Sequence, residues 1–179
     1  MTVRPLPVTI DVLKLVDRGQ ELSGTLPLRQ MTRLLENLVD DQGDVSVVLI
    51  FGRDQGRRRV VTGRIQATVQ LTCQRCLRAM PYHIDAEVAL GVCRSEDEVA
   101  VLSEAYDPLL LTESPQRLSE LVEDELILAL PTLARHESAP DCRPVSVTFG
   151  EAASLPDDSA PEKPNPFAVL DVLKKRDDS

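Results

Sequence analysis

Ile65-Gln66-Ala67-Thr68-Val69-Gln70-Leu71-Thr72-Cys73-Gln74-Arg75-Cys76-Leu77 decides how this chain folds. Ile65, Ala67, Val69, Leu71 and Cys73 are apolar while the residues between them are polar, a period of two that predicts a half-buried β-strand. Beyond the cysteines the alternation resumes in Tyr82, Ile84, Ala86, Val88, Leu90 and Val92, with His83, Asp85 and Glu87 on the other face. Two such segments joined by a short turn predict one long antiparallel hairpin with Cys73 and Cys76 at its tip. A C-x-x-C turn can present both sulfurs to one tetrahedral ion, with metal–sulfur bonds of about 2.3 Å. Two thiols are only half of a zinc site, so the other half must come from elsewhere in the chain.

Toward the N-terminus, the β-branched run Val45 to Phe51 predicts a strand. A turn at Asp54-Gln55-Gly56 leads to a partner strand that begins near Arg58 and continues through Gly63, where a bulge or bend is expected, into the cysteine-bearing strand. Met31, Leu34, Leu35 and Leu38 fall at helical spacing and predict a short helix over Arg29 to Val39, ended by Asp40-Asp41-Gln42-Gly43. The alternation of Val8, Ile10 and Val12 suggests a first strand, with Gly19 and Gly24 punctuating the connection after it.

Toward the C-terminus, Ser95 to Glu113 reads as an acidic, irregular and mobile connection. Ser114 and Pro115 have the character of an N-cap and a first-turn residue, opening a helix over Gln116 to Leu130 that stops at Pro131. Leu118, Leu121, Val122 and Ala129 form its apolar stripe. Glu125 projects from the same stripe and needs a structural partner, while Glu120, Glu123 and Asp124 lie on the solvated side. Residues 151–164 are acidic and rich in proline, serine and alanine, the composition of a disordered linker. Asn165-Pro166 then caps a short helix over 165–176 with Phe167, Leu170 and Leu173 on one face, which needs its own domain or a partner groove to be stable. The expected architecture is α+β: a mainly antiparallel sheet or small partly closed barrel with a long hairpin carrying the C-x-x-C, one principal packed helix, and a short C-terminal helix on a linker. The expected division is a single domain over 1–150, the linker, and the terminal helical motif.

A chain of 179 residues with 42% hydrophobic content can bury one sizeable core. Aromatic residues make up 3% and tryptophan is absent, which argues against an RNA-reading surface built on base stacking. No run approaches the ~18 apolar residues of a membrane span, and Met1 to Pro7 has neither a signal-peptide nor a transit-peptide character, so a cytoplasmic protein with no membrane partner is expected. In a reducing compartment its four cysteines are thiols or metal ligands rather than disulfides.

Net charge is −9, unevenly spread. Arg53, Arg57, Arg58, Arg59, Arg64, Arg75 and Arg78 cluster against Asp54 alone, whereas the chain from Ala79 onward is strongly acidic. The basic block is a candidate RNA-contact surface, since arginines both neutralise and hydrogen-bond phosphates. The competing reading is a solvated strand face paired with the acidic half.

His136 and Cys142 form an H-x5-C pair that would complete a Cys3His zinc set with Cys73 and Cys76; Cys93 and His83 are substitutes for a remote ligand. The bland alternative makes Cys73 and Cys93 small buried hydrophobes and leaves Cys76 and Cys142 as unligated thiols. A third alternative makes Cys73 and Cys76 a redox dithiol, although such motifs normally open a helix after a strand. Paired carboxylates with a histidine or lysine, as metal-assisted phosphodiester cleavage requires, are not in evidence, and no catalytic residue is assigned.

The Leu71 to Leu77 knuckle, the helix Glu120-Leu121-Val122-Glu123-Asp124-Glu125-Leu126-Ile127-Leu128-Ala129-Leu130-Pro131, His136 with Cys142, and Lys163-Pro164-Asn165-Pro166-Phe167-Ala168-Val169-Leu170 resemble, in order and spacing, the signatures of the bacterial YceD family of large ribosomal RNA subunit accumulation proteins. The resemblance covers roughly residues 45–175. It implies a non-enzymatic ribosome-biogenesis role in accumulation or processing of large-subunit (23S) rRNA, with rRNA or a basic large-subunit ribosomal protein as partner and no small-molecule substrate. It carries over no catalytic residues, and it strengthens the grouping of Cys73, Cys76, His136 and Cys142 as zinc ligands. An acidic chain suits a holder of a basic protein, for which Glu123, Asp124, Glu125, Phe167, Leu170 and Leu173 are the candidate docking residues. A thiol redox enzyme at Cys73/Cys76 and a pure protein-binding scaffold are the alternatives.

Overall fold

The computed structural model describes residues 6–111, 114–136 and 142. Its elements run in chain order as β1 (Thr9–Ile10), α1 (Val12–Arg18), β2 (Glu21–Pro27), a 3-10 turn (Leu28–Gln30), α2 (Thr32–Leu35), β3 (Asp44–Arg53), β4 (Arg59–Thr72), β5 (Ala79–Cys93), α3 (Glu96–Ala100), β6 (Asp107–Leu110), β7 (Gln116–Arg117) and α4 (Leu118–Leu128). The five longer strands form one open sheet in the order β2-β3-β4-β5-β6, and β1 pairs with β7 in a separate ribbon. All ladders are antiparallel except β5 with β6. The fold is therefore α+β and mostly antiparallel, with no closed barrel among the described residues.

The hairpin of β4 and β5 is the spine of the molecule. Its register runs unbroken from Val60 opposite Gly91 to Thr72 opposite Ala79. Alternation puts Val61, Ile65, Ala67, Val69 and Leu71 of β4 and Met80, Ile84, Val88, Leu90 and Val92 of β5 into the core beside Val45, Val47, Leu49 and Phe51 of β3. Helices α1 and α4 contribute Val12, Val16, Leu118, Leu121, Val122 and Leu126 to the same core.

Several sequence expectations need correction. Residues 8–12 do not form one strand. Only Thr9–Ile10 is extended, and the chain enters α1, where Asp11 accepts a hydrogen bond from the Lys14 N–H at 3.1 Å and caps the helix. Val12 and Val16, four apart, are its buried face, a helical signal masked by the alternation that precedes it. The helix expected over 29–39 is broken into the 3-10 turn and one turn of α2. Leu28, Met31 and Leu34 are buried at intervals of three, and the chain then crosses to β4, where the Val39 N–H bonds to the Gln70 carbonyl at 2.8 Å.

Gly63 marks no bulge, because the pairing of β4 with both neighbours passes through it in constant register. A side chain there would collide with the backbone carbonyl oxygen of Val48, so the glycine serves a close approach of β3 and β4. The segment after Ser95 is likewise not a featureless connection. Ser95 caps α3 by accepting from the Glu98 N–H, Leu102 packs over Gly91 in space a Cβ would fill, and β6 adds a short parallel edge strand. Ser114 and Pro115 do not open α4 either: Gln116–Arg117 pairs with β1, and the helix begins at Leu118 with Arg117 at its N-cap and no side-chain cap. The linker expected at 151–164 and the helix expected at 165–176 lie outside the described residues.

Candidate metal centre

Strand β4 delivers Cys73 on the same parity that buries Val69 and Leu71, so its sulfur points into the core side at the end of the hairpin. The chain reverses through two backbone hydrogen bonds, Cys73 N–H to the Arg78 carbonyl and Leu77 N–H to the Cys73 carbonyl, both 2.9 Å. Leu77 takes a left-handed backbone conformation (φ 57°), one a leucine adopts only where a turn requires it. This turn brings Cys76 back to the same side as Cys73.

The second half arrives from the chain beyond α4. The Gln74 N–H bonds to the Ala134 carbonyl at 2.8 Å and anchors that segment against the knuckle two residues before His136. Cys73 Sγ and Cys142 Sγ are then 3.6 Å apart, Cys76 Sγ and His136 Nδ1 3.5 Å, and all four ligating atoms lie within 4.8 Å of one another. A tetrahedral zinc with the usual bond lengths separates two sulfurs by about 3.8 Å and a sulfur from an imidazole nitrogen by about 3.5 Å. The Cys73–Cys142 and Cys76–His136 separations match edges of that tetrahedron. The three cysteines are buried and free of disulfides.

The electrostatics suit thiolate ligands. Burial pushes the Cys73 thiol up, but the backbone N–H groups of Arg75, Cys76 and His136, with the His136 side chain, outweigh it and bring the thiol down to about 5. Cys142 moves the other way, because burial and then the neighbouring Cys73 and Cys76 sulfurs disfavour a further negative charge. A thiol that resists ionisation beside other sulfurs, as Cys142 does, is the situation a divalent cation resolves. Four protein ligands leave no open coordination position, so the donor set is of the structural rather than the catalytic kind.

The substitutes do not reach this site. Cys93 sits at the opposite end of β5, roughly 45 Å along the strand, with its sulfur near the Gly91 carbonyl and its thiol pushed up by burial and by Glu98. His83 lies on the exposed sheet face, with Nδ1 3.3 Å from Thr68 Oγ1.

The arginines predicted as one basic face are divided. Arg53, Arg57, Arg58 and Arg59 gather at the β3–β4 turn, Arg75 and Arg78 belong to the knuckle, and β4 puts roughly 40 Å between the two groups. Arg53 pairs with Asp17 at 2.8 Å, Arg58 with Asp54 at 3.9 Å, Arg59 with Glu98 at 3.2 Å, and Arg64 makes a two-pronged pair with Asp85 across the β4–β5 ladder. Arg59 and Arg64 thus pair with the acidic half, as in the competing reading of the charge pattern, whereas Arg53 and Arg58 pair with acids that precede it.

The acidic helix is also rearranged. Glu123, read as solvated, is the one buried charged side chain among the described residues; it accepts from the backbone N–H groups of Arg33 and Leu34 and pairs with the Arg33 guanidinium. Its carboxylate is committed to α2 and is not offered to a partner. Asp124 is exposed and pairs with the outer side of Arg33 at 2.7 Å. Glu125 is half-buried, its carboxylate has no hydrogen-bonded partner among the described residues, and burial followed by Asp107 and Asp124 raises its pKa. No signal in the sequence separates Glu123 from Glu125, since the distinction depends on where α2 lands. Phe167, Leu170 and Leu173 lie outside the described residues.

Among the described residues no helix is long and apolar enough to cross a membrane. Residues 61–174 match the family described as Large ribosomal RNA subunit accumulation protein YceD. The protein of that name from Haemophilus influenzae (strain ATCC 51907 / DSM 11121 / KW20 / Rd) is 36% identical over 172 residues, a match spanning 96% of this chain and 97% of the relative. No solved structure matches the chain significantly.

Proposed function

Because this chain belongs to the YceD family of large ribosomal RNA subunit accumulation proteins, we propose that it is a cytoplasmic, non-enzymatic factor that promotes accumulation of large-subunit rRNA. The observation that carries this reading is the near end-to-end match to a protein of that name. The convergent Cys73, Cys76, His136 and Cys142 supply its physical basis: one zinc ties the hairpin tip to the segment after α4 and fixes the knuckle that bears Gln74, Arg75, Leu77 and Arg78. The metal supplies rigidity and no reaction. The partner is rRNA, a basic large-subunit ribosomal protein, or both.

A redox dithiol at Cys73 and Cys76 is less well supported. A third thiol and an imidazole stand against the pair, and the knuckle continues into a strand instead of opening a helix. The test is a strain lacking the protein, complemented with the wild type or with Cys76→Ser, in which mature and precursor large-subunit rRNA are quantified against small-subunit rRNA. Restoration by the wild type and reduced restoration by the variant is the expected result. Unchanged large-subunit rRNA in the deletion strain would remove the reading.

A further inference from the structure

Among the described residues, the long hairpin is covered on one side and open on the other. Strand β6 pairs with β5 only from Leu90 to Cys93, and the Cys93 carbonyl accepts from the Leu111 N–H at 2.9 Å. Odd-numbered residues of β5 therefore direct their backbone groups away from β4, since N–H and C=O of one residue point to the same side of a strand. At the other end, the Cys73 N–H bonded to the Arg78 carbonyl fixes the same parity, with an even residue facing β4. From Pro81 to Ala89, the backbone groups of His83, Asp85 and Glu87 and the N–H of Ala89 thus face an edge where they have no backbone partner among the described residues, while the Ala89 carbonyl lies at the start of the β6 ladder, opposite the Asp107 N–H. Strand β4, by contrast, is covered where it outruns β3, by the Val39 N–H on the Gln70 carbonyl.

This edge spans roughly 30 Å, enough for an eight- or nine-residue strand. Pro81, His83, Asp85 and Glu87 are exposed. The elements that border it are of one charge: β5, α3, β6 and α4 contain no lysine or arginine, and they carry Asp85, Glu87, Asp107, Glu120, Asp124 and Glu125 among their acids. Arg64, the cation that reaches this border from β4, is neutralised by Asp85, which leaves Glu87 exposed beside the edge. An acidic strand edge excludes an acidic segment and attracts a basic one, and the backbone ladder supplies the binding geometry whatever the partner's exact sequence.

We infer that the Pro81 to Ala89 edge of β5 is a docking strand for an extended, lysine- or arginine-rich segment of a partner protein, which pairs with it by strand addition. The inference rests on the reading that this factor handles a basic protein, and it assigns the contact to a sheet edge instead of to the face of α4.

The experiment uses the purified full chain and two synthetic peptides, one alternating lysine with valine and one alternating glutamate with valine. Amide hydrogen exchange is followed residue by residue. The lysine peptide is expected to bind and to slow exchange at His83, Asp85, Glu87 and Ala89 by about tenfold or more, while Ile84 and Ala86, already paired with β4, are unchanged. Glu87→Lys is expected to weaken binding about tenfold without altering the fold. His83→Pro, which removes one edge N–H and no acid, weakens it while Ile84 and Ala86 stay protected. Binding without protection at the four edge amides, equal binding of the glutamate peptide, or edge amides already slow in the peptide-free chain would each overturn the proposal; the last would mean that the edge is filled by this chain or a second copy. Because binding is read on purified protein and rRNA accumulation in cells, either reading can fail while the other stands.

Discussion

Glu123 of α4 holds Arg33 twice, once by the Arg33 backbone N–H at 2.6 Å and once by its guanidinium at 3.0 Å, and the same carboxylate takes the Leu34 N–H at 3.0 Å. Helix α2 has no side-chain N-cap of its own, because Met31 occupies that position. A carboxylate ninety residues away in sequence does what a serine or aspartate normally does locally. The single turn of α2 would be marginal alone, and this contact fixes it over the core and directs the following chain onto the edge of β4.

Removing that carboxylate leaves two backbone donors without their acceptor and the Arg33 guanidinium without its buried partner, although Asp124 still holds its outer side. Glu123→Ala is expected to lower unfolding stability by about 3 kcal/mol, and Glu123→Gln, which keeps one acceptor oxygen, by less. Urea unfolding checks both, and a change below about 0.5 kcal/mol for the alanine variant would show that α2 does not depend on the contact.

Protein purified without chelator is expected to contain one zinc per chain, and Cys76→Ser and Cys142→Ser are each expected to lose it. Loss in both would tie together residues that lie in different segments of the chain. Chelation of the wild type should lower the melting temperature and release protons on rebinding, since at least one of the thiols other than Cys73 must ionise to ligate. Metal content by mass spectrometry with a thiol titration decides it, and zinc retained by Cys142→Ser would exclude Cys142 from the site.

Glu125 supplies a pH-dependent test. Its pKa is raised in the folded chain by burial and by Asp107 and Asp124, so the folded state binds the proton more tightly than the unfolded state does. The associated stability is complete below the ordinary glutamate value of about 4.3 and is lost as pH rises through the raised folded value. Glu125→Gln cannot ionise and is therefore expected to melt higher than wild type at pH 7, by roughly 1–3 °C, with the difference vanishing near pH 4. Melting curves at the two pH values read this out, and a destabilised variant at pH 7 would mean that the carboxylate makes a favourable contact.

The arginines separate by their pairing if RNA is touched directly. Arg75→Ala on the knuckle is expected to weaken RNA association and reduce its salt slope by about 0.9, whereas Arg64→Ala, whose guanidinium is already bound by Asp85, should change neither. Filter binding at several salt concentrations distinguishes them. Unchanged slopes in both, and in the triple alanine variant of Arg57, Arg58 and Arg59, would leave the protein partner as the sole route to the ribosome.

Gly63 offers a test of the sheet itself. A Cβ at this position meets backbone and not a movable side chain, so Gly63→Ala has to separate β3 from β4 and is expected to cost about 3 kcal/mol or more. Soluble yield and urea midpoint measure it, and a near-neutral variant would show that the ladder can open locally.

The amino-acid sequence by itself determined the β4–β5 hairpin, its inward face and the placement of Cys73 and Cys76 at its tip, because a two-residue period and a C-x-x-C turn are local properties of the chain. It also marked β3 and the main body of α4 for the same reason. Helix α1 was hidden, since Val8, Ile10 and Val12 alternate up to the residue where the helical spacing of Val12 and Val16 begins. Only the tertiary structure decided which carboxylate of α4 is buried, because that depends on the docking of α2, a single turn with no local signature. The division of the arginines was decided there too, with Arg53, Arg59 and Arg64 finding their acids across a ladder or between elements. The meeting of His136 and Cys142 with the knuckle is of the same kind. Spacing named the four residues, and the path of the chain after α4, held by Gln74 and Ala134, brings their ligating atoms within reach of one ion.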